Sequence, residues 1–139
     1  MSLDVMLTMK RDEPTDGDKA IELLRANGLE SIASTVEAHH EHGDIRVYDS
    51  NITHNLGRMA EEAGIYKCLW RPEEIGITKA SQLIPLLTEG LAKLHADRPR
   101  FEKFNASNGW GLYENFVPWV SQYLEACREN PDADVSVWR

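Results

Sequence analysis

The sequence predicts an α+β fold, a small three-stranded antiparallel sheet packed on one face by about five to six helices. Three observations carry this. Short alternating stretches lie at the start, middle and end of the chain, at Leu3–Thr8, Ile45–Ser50 and Asp134–Trp138. Longer stretches between them repeat apolar residues at helical spacing. At 139 residues and 42% hydrophobic content, the chain fits one domain with a core. Each strand is half polar, so one sheet face packs on helices and the other meets solvent or a partner.

The first strand sets Leu3, Val5 and Leu7 against Asp4, Met6 and Thr8. Lys10 to Gly17 is polar, contains Pro14 and reads as a loop. Asp16 or Asp18 caps a helix to about Ala26, with Ala20, Ile21, Leu23 and Leu24 on its apolar face, and Asn27-Gly28 stops it. A second helix, about Glu30 to His42, carries Ile32, Ala33 and Val36. The middle strand places Ile45 and Val47 on one face and Arg46 and Tyr48 on the other.

Thr53 or Asn55 caps the next helix, with Leu56, Met59, Ala60 and Ala63 inward and Gly64 as its end. Ile65 to Trp70 is one or two apolar helical turns, ended by Arg71-Pro72. The longest helix opens at Thr78 and runs to about His95 on Leu83, Leu86, Leu87, Leu91 and Leu94. Pro85 predicts a kink in it or a later start. Asp97 caps a short helix with Phe101 and Phe104. A loop over 105–111 leads to the last helix, about Leu112 to Glu129, with Phe116, Val117, Val120, Leu124 and Cys127 inward. The order is β-α-α-β-α-α-α-β, with a small helix between the last two long ones.

Net charge is −8, which argues against a nucleic-acid partner, whose phosphates call for Lys and Arg. From Arg11 to Asp44, nine acids face three bases, a net of −6. Residues 1–139 read as a single domain, with 11–44 as an acidic helical insertion within it. Its acidity is that of a solvated helical face, or of a surface aimed at a basic partner. No apolar run approaches the ~20 residues of a membrane span, and MSLDVMLTMK lacks the basic region of a signal peptide. The expected location is the cytoplasm, with no membrane partner. Cys68 and Cys127 fall at helical core positions and read as buried, reduced thiols.

Several motifs recur in one order: NITHNLG, AGIY, LWRPEE, GITKASQLIPLL, NGWGLYENF and a closing DADVSV strand. Together they resemble a family of small bacterial and phage proteins with no assigned activity. The resemblance covers Asp49 to the C-terminus and the opening Ser-Leu-Asp-Val. It implies a phage or bacterial cytoplasmic setting and no chemistry. Many members pass from first strand to NITHN by a short link, which marks residues 11–44 as an insertion.

The densest polar stretch is Asn51, Thr53, His54 and Asn55 at a strand-to-helix junction. Asn and Thr there either cap orphan backbone N–H groups or contact a ligand. His54 can be acid, base or metal ligand near neutral pH, or a further first-turn cap. In the NGWG loop, Asn108 precedes two glycines flanking Trp110, so the backbone can bend and present the indole. Trp70 and Tyr113 could approach it, and with nearby amides and Arg71 they would suit a base, a sugar or a peptide. The alternative is a Trp that plugs a gap between helices.

His39, His40 and His42 cluster with Glu41 and Asp44, but no second ligand set is evident, so a polar helix end explains them and no metal is expected. A Cys68–His54 nucleophile pair is disfavoured because Cys68 lies in an apolar run. No phosphate-binding Gly loop, G-x-S-x-G or Cys-x-x-Cys is present, and no cofactor is expected. The expected function is a non-catalytic binding or interaction protein, acting on a host factor or a small ligand. The alternative is a small hydrolase or transferase using His54 with Glu61, Glu73 or Glu74.

Overall fold

A computed structural model describes residues 1–10, 16–39 and 44–139. The fold is a three-stranded antiparallel sheet with helices, as the alternation predicts. The strands are β1 (Ser2–Lys10), β2 (Asp44–Thr53) and β3 (Asp134–Trp138), in the order β2-β1-β3. Seven α-helices lie among the described residues, more than the five to six expected. These are α1 (Asp16–Ala26), α2 (Glu30–His39), α3 (Gly57–Glu62), α4 (Tyr66–Trp70), α5 (Ala80–Ala96), α6 (Arg98–Glu102) and α7 (Tyr113–Glu129). Short 3₁₀ turns cover His54–Leu56 and Pro72–Ile75.

The chain divides into two compact units, Met1–Thr8 with Arg46–Arg139, and Met9–Ile45. In the smaller unit α1 and α2 pack together, with Ile21 and Ala33 buried and Leu23 and Ile32 exposed. Gly28, between them, takes the left-handed conformation that lets the chain turn at φ 74°. His40, Glu41 and His42, and the side chain of His39, lie outside the described residues.

In the larger unit the alternation of β1 holds: Leu3, Val5 and Leu7 are fully buried. Val5 sits opposite Val137, and Leu7 opposite Val135, so both strands turn aliphatic side chains to one face. Trp138, opposite Asp4, is exposed on the other face.

The middle strand corrects the expectation twice. It runs on to Thr53, and its inward face is Tyr48, Ser50 and Ile52 rather than that of Ile45. Tyr48 stacks on Tyr123 of α7 at 5.6 Å, and Trp119 Nε1 donates to Ser50 Oγ at 2.9 Å. One aromatic stack and one hydrogen bond fix this face inward, and Ile45 stays exposed.

Helices α5 and α7 pack on each other and form the centre of this unit. Leu83, Leu87, Leu91 and Leu94 of α5 are buried, as are Phe116, Val120, Leu124 and Cys127 of α7, while Leu86 and Val117 are only half-buried. The long helix starts at Ala80, not Thr78. Gln82 Oε1 accepts from the N–H groups of Thr78 and Lys79 at 2.7 and 2.9 Å, which satisfies donors ahead of the first turn. Pro85 and Pro118 each occupy the sixth position of their helix, and both helices continue through them.

Candidate functional site

Thr53 ends β2, and its hydroxyl accepts from Asn55 N–H at 3.3 Å, opening the 3₁₀ turn. That turn delivers Leu56 to the core and leaves Asn51 and Asn55 exposed. The NGWG loop meets it directly. Asn55 Nδ2 donates to Trp110 C=O at 2.7 Å. A Cβ on Gly111 would come within 2.9 Å of Asn55 Cβ, so only glycine allows this approach, and its φ of 123° also favours glycine.

The loop is held internally as well. Trp110 N–H donates to Asn108 Oδ1 at 2.9 Å, and Ala106 N–H to Gly111 C=O at 3.0 Å. The Trp110 backbone is thereby fixed from both sides, while the residue is 72% exposed.

These elements wall a cavity of about 830 Å³. Asn51, Thr53, His54, Asn55, Asn108 and Trp110 all line it, so six of the nine predicted site residues converge. Three do not. Tyr113 is buried, and its hydroxyl donates to Leu94 C=O at 2.7 Å inside the core. Trp70 is buried too, and with Arg71 it lines a different, smaller cavity, which His54 also borders. Reasoning from sequence missed Ser2 and Asn115 in the first cavity. Asn115 lies on the first turn of α7, close behind the NGWG glycines, and that proximity was its one available signal.

His54 is fixed by Trp70, whose Nε1–H donates to His54 Nδ1 at 2.8 Å. An accepting Nδ1 carries no proton, so the neutral ring bears its proton on Nε2. Trp70 is in turn stacked on Tyr66, with ring centroids 5.3 Å apart. No cavity-lining side chain around Trp110 is a carboxylate, an ammonium or a guanidinium.

Cys68 donates to Ile65 C=O at 3.2 Å, and burial pushes its thiol up to about 12, which keeps it protonated and inert. No group of three or more His, Cys, Asp or Glu side chains is placed to hold a metal among the described residues. No helix among them is long and apolar enough to cross a membrane.

The chain matches no family model, no curated protein and no solved structure.

Proposed function

We propose that this is a non-catalytic binding protein that holds a neutral, polar, ring-bearing small molecule in the Trp110 groove. One observation carries the reading: an exposed indole on a hydrogen-bonded loop, ringed by the amides of Asn51, Asn55, Asn108 and Asn115 with no charged side chain among them. Asparagine both donates and accepts, so it suits hydroxyl and amide groups of a ligand. A flat indole face stacks on a sugar ring or a base. The cavity volume lies in the range of small-molecule sites.

Catalysis has less support. His54 can act as a base at Nδ1 only by giving up Trp70. Glu73 and Glu74 are engaged by Arg139 and Arg71. A net charge of −8 supports a partner other than nucleic acid. The motifs from NITHNLG to NGWG support a bacterial or phage cytoplasmic setting.

Calorimetric titration with uncharged oligosaccharides, nucleosides and short neutral peptides tests the reading. The expected result is saturable binding by at least one class, weakened about ten-fold or more in Trp110→Ala, since stacking on one aromatic contributes ~1–3 kcal/mol. A ligand that binds Trp110→Ala equally well, or a panel in which nothing binds, contradicts it.

A further inference from the structure

The second cavity bordered by His54 has a different chemistry. It measures about 350 Å³, and Arg58, Arg71 and Arg139 all line it. Three guanidinium groups converge in a chain of net charge −8. We propose that this cleft is an oxyanion site, taking a phosphate or carboxylate group of a ligand.

Two of the guanidiniums are anchored without being used up. Arg139 Nη1 donates to Trp70 C=O at 2.9 Å and pairs with Glu73. Arg71 Nη1 donates to Glu74 at 3.1 Å. Each guanidinium has five N–H donors; Arg139 commits Nη1 alone, while Arg71 gives Nη1 to Glu74 and a further hydrogen bond to Tyr66, so each keeps donors to spare. The carboxylates therefore orient the forks and leave donors for a second, bidentate partner.

Arg58, on α3, forms no ion pair among the described residues. Glu61, one turn further along α3, shares the cleft, so with Glu73 and Glu74 three carboxylates offset the three guanidiniums, and selection for an oxyanion rests on their unused N–H donors. His54 contributes a neutral ring protonated on Nε2, a further donor that adds no charge. His54 also lines the Trp110 groove.

The Trp70 indole N–H resonance reports on this wall, and the Trp110 indole on the other cavity. Sodium phosphate and sodium succinate are titrated separately into the protein at constant ionic strength, with sodium chloride as reference. The expected result is a saturable shift of the Trp70 signal with at least one of the two, while Trp110 stays still. Saturation by phosphate alone assigns a phosphate group, and by succinate alone a carboxylate.

Arg58→Gln and Arg71→Lys should each weaken that binding about ten-fold, the first by losing a charge and the second by losing a fork. Both side chains are surface groups, and retention of the far-ultraviolet dichroism shows that each variant folds. Shifts that match chloride, or binding that both variants retain, overturn the proposal. Movement of Trp110 alone overturns it too, and leaves the groove reading intact.

Discussion

At His54, one hydrogen bond decides which roles are open. Trp70 donates to it across sixteen residues of sequence, so no local pattern could reveal the tautomer. Thr53 differs: its capping bond reaches only two residues on, and such bonds are legible from residue type. The two cysteines were legible for the same kind of reason, since each falls on an apolar helical stripe. Burial raises both thiols from 9.0 to about 12. A neutral thiol is therefore favoured in the folded state, and that stabilisation is present below about pH 9 and lost as pH rises toward 12. A thiol reagent at pH 8 should find neither cysteine in the folded protein and both in denaturant. Rapid labelling of either without denaturant would show that its stripe opens.

Among the elements, periodicity was a good guide where burial alone decides the face. The α5 stripe and the β1 alternation are examples. It failed on β2, where Tyr48 and Ser50 make specific contacts with α7 that a hydropathy pattern does not contain. Gly90 of α5 shows another limit. A Cβ there would lie 2.3 Å from Ile65 Cγ2, so glycine permits the close approach of this helix to the chain ahead of α4. Propensity alone favours alanine in a helix by ~1 kcal/mol. Overpacking a core position costs about 1–3 kcal/mol, and Ile65 is buried with little room to move. Gly90→Ala should therefore lower stability in urea titration. A variant as stable as the parent would mean that Ile65 readjusts freely.

For the molecule as a whole, the polar breaks at 51–55 and 108–110 were legible as candidates because helices and strands rarely interrupt themselves with so many amides. Their meeting depends on how α7 returns to the sheet, and that is tertiary information. Trp70 and Tyr113 were misplaced because an aromatic beside a polar loop looks the same in sequence whether it faces in or out. The segment over 11–44 poses a whole-molecule question. Strands β1 and β2 are antiparallel neighbours, so a short turn can join them. The unit of Met1–Thr8 with Arg46–Arg139 contains the long helices and all of β3. Replacing residues 11–44 by a short Gly/Ser link should leave a soluble domain that unfolds cooperatively. An insoluble product, or a broad melt, would show that α1 and α2 complete the core.

The central claim is that the Trp110 groove holds a neutral ligand without transforming it. Amide-resolved NMR during titration with the best-binding member of the panel tests this most directly. The account predicts saturable shifts confined to the side-chain amides of Asn51, Asn55, Asn108 and Asn115 and the Trp110 indole, with the ligand's own spectrum unchanged over hours. Shifts centred elsewhere, or conversion of the ligand to a product, would contradict it.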